Sequence, residues 1–395
     1  MRSALPLKSN GRIKETGLEG IILSKPRRLW ILTSEYEPHI TGGLGTVATN
    51  LTKAYARGGV HTTVLSQSKH SLITLTKKKR LQIVRFPSRA AYYSSKSRQY
   101  IPAAVERWLN KQGYRKPDGI HIHSLQFMNL AKYFQARHRI PVIYTCHSLV
   151  EMETGPITNK KRKMLMYQEQ LLKTANKIVV PSRSQFTKLK KLYPFCSNKT
   201  VVIKHGIVLR KSKARGPRHH LLFVGRIVPL KGIEQLLKAI SLLKREGKKV
   251  KLDLVGTGPK GYTRHLKAQS KKLGISPEIR WIGYCNQAQV QKMYASHGAV
   301  IMPSLQESFG LVALEALANG IPLVSTRAGG LAEFVNSKVA QTIPKVNGSV
   351  IAKSIKNMWN HKKVTDQRVA TGRKLASRFQ WPHAAERYKK QFQQI

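Results

Sequence analysis

Residues 303–326 read PSLQESFGLVALEALANGIPLVST. The apolar run AVIMPS (299–304) leads into this stretch, PLVST (322–326) ends it, and a helix is expected between them over 311–319. Strand, loop, helix and strand in this order form a βαβ unit. Short apolar strands of this kind are buried on both faces, as strands of a parallel sheet are. The stretch holds two carboxylates, Glu307 and Glu315, in a chain with only 18 acids. Ser308, Phe309, Gly310 and Leu311 open the helix, where unpaired N–H groups receive phosphate oxygens. Glu315 stands in an otherwise apolar helix, and a buried acid there needs a partner, often a ligand hydroxyl. The plainer alternative is a capping Glu307 and a surface Glu315.

The same alternation extends outward. HLLFVGR (220–226), KLDLVGTG (251–258) and IRWIGY (279–284) read as strands, with helices over 232–245 and 261–273 and near 287–295. Further upstream the strands are the run Leu29–Leu32, then VHTTVLS (60–66), LQIVRF (81–86), GIHIHS (119–124), PVIYTCH (141–147), KIVVPS (177–182) and VVIKHGI (201–207). Helical stretches lie between them, including Val47–Tyr55 and a long polar helix around 160–175. Residues 208–219 lack apolar periodicity and are rich in Lys, Arg, Gly and Pro, as a linker is. The expected class is α/β, with two doubly wound parallel sheets facing across a cleft. An irregular leader spans 1–27. The tail from Val369 to Gln394 is helical, and Trp381-Pro382 predicts a kink or two separate helices there.

Glycine loops follow several strands. Thr41-Gly42-Gly43 and Gly45 follow the first, and glycines let a backbone approach a ligand closely. Neither GxGxxG nor a P-loop is present, since Ala48 and Thr49 stand where the P-loop needs Gly and Lys. Taken alone, this loop is equally a structural turn. Gly225 and Arg226 follow the strand at 221–224, with Lys231 five residues on. A guanidinium fork and a point charge suit a diphosphate, although two bases at this spacing prove little among 71. His147 ends a strand at the same cleft edge; a lone His is more often structural. His121 and His123 share a strand face but lack further ligands at metal-binding spacing, as does His219-His220. Asp118 and Asp253 stand alone, so no paired-aspartate metal site is read and no essential metal is expected.

Composition narrows the classes. The chain has 395 residues, 71 Lys+Arg against 18 Asp+Glu, and a formal net charge of +53. Its charged fraction of 23% is ordinary, so the imbalance is a shortage of acids. That points to an anionic partner or surface. No apolar run reaches the roughly 18 residues of a membrane helix, and no signal peptide is read. Cys146, Cys196 and Cys285 show no metal or redox spacing, which fits a reducing cytoplasm.

At this point the motifs resemble those of retaining, nucleotide-sugar-dependent glycosyltransferases of family 4 and the glycogen-synthase-like group. The resemblance runs from Leu29 to about Tyr388. Its most specific part is Glu307-x7-Glu315 within SFGLVALEALANGIPLVST. Gly42-Gly43, GR-x4-K at 225–231, GTGP at 256–259 and GG-x2-E at 329–333 arrive in the family order. It implies a GT-B fold of two Rossmann-like domains: an acceptor domain at 28–207, a linker at 208–219 and a donor domain at 220–375. A C-terminal helix at 376–395 crosses back to the first domain.

The resemblance also implies roles. Arg226 and Lys231 would hold the donor diphosphate, with Gly256 and the N–H groups of Phe309–Leu311 close by. Glu315 would bind the ribose hydroxyls, Glu307 the donor sugar, and His147 the same sugar from across the cleft. Gly42 and Gly43 would approach the diphosphate from the first domain. The donor is a nucleoside diphosphate sugar, UDP-sugars first, with no further cofactor. The acceptor is a small molecule, glycan or lipid-linked group. Bacterial glycogen and starch synthases carry Lys before the first GG, where this chain has Thr41. The leading reading is therefore a hexosyltransferase of envelope, spore-coat or natural-product glycoside synthesis. A glycogen- or starch-type glucan synthase using ADP- or UDP-glucose is the first alternative.

A second class of reading is a nucleic-acid or anionic-surface binding protein on the same scaffold. Its basic runs are scattered over both halves without interleaved aromatics, which argues against nucleic acid. Basic helices at 159–173 and 185–191 are candidates for peripheral contact with an anionic membrane at the inner face.

Overall fold

The computed structural model describes residues 26–68, 70–88, 90–153, 155–209 and 216–395. The leader read at 1–27 lies outside these residues except for its last two, and the linker read at 208–219 lies outside them at 210–215. The first sheet contains β1 (Arg28–Thr33), β2 (His61–Ser68), β3 (Thr74–Lys78) and β4 (Leu81–Pro87). A two-residue pair, β5 (Tyr93–Ser94) and β6 (Gln99–Tyr100), stands apart from it. The sheet is completed by β7 (Gly119–Ile122), β8 (Val142–Thr145), β9 (Lys177–Val180) and β10 (Thr200–Val202). Its order is β10-β9-β8-β7-β1-β2-β4-β3, parallel except for β3, which pairs antiparallel with β4. Helices α1 (Gly43–Arg57), α2 (Pro102–Lys111), α3 (Met128–His138), α4 (Asn159–Thr174) and α5 (Arg183–Leu192) cover its faces.

The second sheet contains β11 (His220–Val224), β12 (Lys251–Val255), β13 (Ile279–Gly283), β14 (Ala299–Met302), β15 (Leu323–Ser325) and β16 (Gln341–Thr342). Its order is β13-β12-β11-β14-β15-β16, all parallel. Its helices are α6 (Ile233–Arg245), α7 (Lys260–Lys272), α8 (Gln287–Ser296), α9 (Leu311–Asn319), α10 (Gly348–Asn360) and α11 (Lys362–Ala376). The last helix, α12 (Trp381–Phe392), begins after a break, with Pro382 in its first turn, where a missing N–H costs nothing.

Strand pleating explains the four cores. In β1, Trp30 and Leu32 enter one apolar cluster and Leu29 and Ile31 the other, so both sheet faces are buried. In β11, Leu221 and Phe223 face one cluster and Leu222 the other. Side chains that alternate between two buried faces leave no polar positions, which is why these strands read as continuous apolar runs.

The chain passes between the two units twice, side by side. Ile207 N donates to Phe379 O at 2.8 Å. A Cβ on Gly206 would lie 2.5 Å from Trp381 N, so only glycine fits this crossing. Beyond it α12 packs on the first unit: Trp381, Tyr388 and Phe392 share a core cluster with Leu29, Ile31 and Tyr55.

Candidate active site in the cleft

In each sheet the strand order reverses about the unit's first strand. β1 lies between β2 and β7, and β11 lies between β12 and β14. Crevices at such reversals, beyond the strand C-termini, are where open α/β sheets hold ligands. A cavity of about 620 Å³ occupies the space between the two reversals. Both units line it, and four of the 16 acids among the described residues do so: Glu35, Glu153, Glu307 and Glu315. In so acid-poor a chain, that concentration marks the cleft.

On the second unit, Lys231 and Glu307 form an ion pair between the loop after β11 and the loop after β14. Ser304 Oγ donates to the same Glu307 oxygen at 3.0 Å. A Cβ on Gly232, at φ 68°, would lie 2.2 Å from Pro303 O, which explains the glycine beside Lys231. Gly310 has φ 98° and ends the loop at α9, whose first residues, Leu311 and Val312, line the cavity. Ser308 also lines the cavity, and its carbonyl accepts from Ser182 Oγ at 2.7 Å. Phe309 is buried, its ring packed near His205, Phe334 and Phe379, and it anchors this loop.

Glu315 is buried on α9 at the cavity wall and accepts from Tyr294 Oη at 2.7 Å. Burial raises its carboxyl from the usual range to about 7, against the opposing pull of the Tyr294 hydrogen bond. Gly256 lines the cavity too, but its N–H is donated to Gly283 O at 2.7 Å. Its role in the geometry is close approach, since a Cβ there would lie 1.9 Å from Gly225 O.

On the first unit, Glu35 Oε2 accepts from the backbone N–H groups of Thr41 at 3.0 Å and Gly42 at 3.1 Å. The glycine loop is thus held by an acid of its own chain. Gly43 stands against Leu311 Cδ1 across the cleft, 3.4 Å from where a Cβ would be. Arg226 Nη1 lies 3.4 Å from Glu153 Oε1 of the first unit, so each of the two predicted diphosphate cations already faces a carboxylate. Glu333, in the GG-x2-E segment, accepts from Arg183 N at 2.8 Å and Lys204 Nζ at 2.9 Å, tying the units together.

His147 lines the cavity beyond β8, and its Nε2 lies 2.9 Å from His123 Nδ1. Burial pushes His147 down to about 3, so it is neutral near pH 7. Sequence reasoning weighed His123 only as a metal ligand. It also left Asp253 alone, whereas His220, Asp253 and His297 gather within 4.8 Å at the N-terminal side of the second sheet. Strand pairing brings Arg280 of β13 opposite Asp253 of β12, and its guanidinium forks onto that carboxylate. The structure therefore brings together every predicted site residue. It adds Glu153 and Tyr294, which meet their partners Arg226 and Glu315 from 73 and 21 residues away. It also gives Glu35, an acid that follows the first strand, and His123 their partners, in the loop at 41–42 and in His147.

Two family models match this chain. Glycosyltransferase Family 4 covers residues 41–211, and Glycosyl transferases group 1 covers 208–375. The chain is a GT-B glycosyltransferase related to the family 4 and glycogen-synthase-like enzymes. An uncharacterized glycosyltransferase of Methanocaldococcus jannaschii is 25% identical over 334 residues, 79% of this chain and 83% of the relative. The glycogen synthase of Mycobacterium tuberculosis is 24% identical over 384 residues, covering 91% and 92% of the two chains. The structure of a sucrose-phosphate synthase from Thermosynechococcus elongatus superposes with a TM-score of 0.75 at 20% identity, over 93% and 99% of the two chains. As a retaining GT-B glycosyltransferase, the protein moves a sugar from a nucleoside diphosphate sugar to an acceptor. Among the described residues, no helix is long and apolar enough to cross a membrane.

Proposed function

We propose that this glycosyltransferase is a glucosyltransferase of the glucan-synthase type, extending a carbohydrate acceptor from a nucleoside diphosphate glucose. The observation that carries the reading is the donor half of the cleft. Arg226, Lys231, Glu307, the start of α9 and the buried Glu315 surround one cavity. Of the roles raised from the sequence, alignment with a glycogen synthase over 91% of the chain supports the glucan alternative over envelope, spore-coat or natural-product glycosides.

In this reading Arg226 and Lys231 hold the diphosphate, and Glu315 accepts the ribose hydroxyls. Glu307 and His147 orient the glucose. The bond from the anomeric carbon to the diphosphate breaks and a bond to the acceptor hydroxyl forms on the same face. The acceptor proton passes to the departing phosphate oxygen. Charge growing on the diphosphate is stabilised by the two cations and the α9 N–H groups, which are in place before the reaction. The acceptor enters from the first-unit side, beside Lys160 and Lys163.

The test is a donor panel of UDP-, ADP-, GDP- and dTDP-glucose with maltoheptaose as acceptor, with product length read by mass spectrometry. Stepwise hexose addition is the expected result. Turnover with phosphorylated small acceptors and none with maltoheptaose would replace the glucan assignment with a small-molecule one.

A further inference from the structure

His123 sits directly after β7, beside the reversal point of the first sheet, and lines the cavity. It is 3% exposed. Its Nδ1 faces His147 Nε2 at 2.9 Å, with the two rings only 24° from coplanar, which suits an in-plane hydrogen bond. Its Nε2 is buried and has no hydrogen-bond partner among the described residues.

A neutral imidazole carries one proton on one of two nitrogens, and the bond made by one nitrogen fixes the other. Both rings are kept neutral by burial, which lowers His123 well below the ordinary range and His147 to about 3. Only one proton can lie between Nδ1 of His123 and Nε2 of His147. Were His147 the donor, the proton of His123 would move to its Nε2. That N–H would be buried with nothing to bond, and an unsatisfied buried donor carries the full desolvation penalty. With His123 as donor, the orphaned atom is a bare lone pair, and the N–H has its acceptor.

We propose that His123 is a positioning residue that fixes the tautomer of His147: Nε2 of His147 accepts, and its proton is held on Nδ1. His147 then offers a substrate a hydrogen-bond donor and no base. Its partner in the cleft is an oxygen acceptor of the bound donor, a sugar hydroxyl or a phosphate oxygen. This rests on the donor-sugar reading above for its consequence, but the tautomer itself does not.

The first test needs no activity. Nitrogen-15 spectra of the histidine-labelled full-length protein at neutral pH, assigned with His123→Asn and His147→Asn variants, report which nitrogen of each ring is protonated. Protonated Nδ1 with bare Nε2 on His147 is expected; the reverse overturns the proposal. The second test is kinetic, with UDP-glucose. Asparagine keeps an N–H near the Nδ1 position and leucine does not. His123→Asn should retain kcat within about threefold, while His123→Leu loses roughly tenfold with KM for UDP-glucose little changed. Equal rates, or equal losses, in the two variants overturn the positioning role. If the wild-type protein turns over no nucleotide sugar, the functional reading fails and the spectrum still decides the tautomer.

Discussion

Tyr294 donates its hydroxyl hydrogen to Oε2 of Glu315 at 2.7 Å, and both residues are buried at the junction of α8 and α9. One carboxylate oxygen is thereby engaged from behind, and the residue still borders the cavity. Burial raises the acid to about 7, so near neutrality the ligand-free protein holds a mixture of the two forms. Accepting two ribose hydroxyls requires the ionised form. UDP-glucose affinity should therefore weaken as pH falls below about 7, approaching tenfold per pH unit. Calorimetry from pH 5.5 to 8 would check this, since the diphosphate diester of UDP-glucose does not titrate there. Affinity that is flat with pH removes Glu315 from the ribose site.

The same acid makes an opposite prediction for stability. Its folded-state pKa lies above the ordinary value of 4.5. Its favourable contribution is complete below 4.5 and is lost as pH rises through about 7. Glu315→Gln keeps an acceptor for Tyr294 without a buried charge. At pH 8 this variant should be more stable than the wild type, by on the order of 2–3 kcal/mol in urea unfolding, yet bind UDP-glucose more weakly. Loss of both stability and binding would mean the site is structural.

Lys231 and Glu307 form an ion pair with 17% and 12% side-chain exposure, so removing either leaves the other poorly solvated. Lys231→Ala is expected to lower kcat/KM on the order of a hundredfold, because a cation aimed at the diphosphate is lost. The double variant with Glu307→Ala should lose much less than the product of the single effects. Multiplicative losses in this cycle would show that the two residues act on separate parts of the substrate.

Much of this cleft could be read from the chain because parallel strands buried on both faces are short apolar runs, and the loops after them carry the glycines and charges. Glu307 was legible as an acid at the mouth of a helix, and Glu315 as one inside an otherwise apolar helix. What was not legible has a physical cause. β3 is TLTKK with a nearly exposed face, and only its pairing with β4 makes it a strand. Tyr294 reads as an ordinary apolar position of α8. Glu153 meets Arg226 from 73 residues away, through packing of two separate sheets. His121 and His123 looked like an unfinished metal site because their real partners, Thr145 and His147, come from the next strand and the loop beyond it.

Asp253 gives a prediction away from the cleft. Burial alone would raise its pKa. The bonds from Arg280, His297 and His220 outweigh that and hold it at about 2, below the ordinary 3.8. The resulting stability is fully present above 3.8 and is lost as pH falls through about 2. It amounts to about 2 kcal/mol. Asp253→Asn should be destabilised at pH 7 in urea unfolding, with the difference from wild type shrinking toward pH 2. A difference independent of pH would place the effect in packing.

Glu35 holds the first glycine loop by accepting from the N–H groups of Thr41 and Gly42. The loop is fixed against Leu311 before any ligand arrives, and this fixing should matter for donor binding more than for folding. Glu35→Ala frees two backbone donors at a partly exposed loop, where water can satisfy them. The expected outcome is a several-fold rise in KM for UDP-glucose, a melting temperature within about 2 °C of wild type, and faster amide exchange at 41–45. Gly45→Ala should mimic it, because the added Cβ would lie 2.8 Å from the Glu35 side chain and force it out. Unchanged KM in both variants, with exchange faster at the loop, would show that the tether orders the loop without serving the donor.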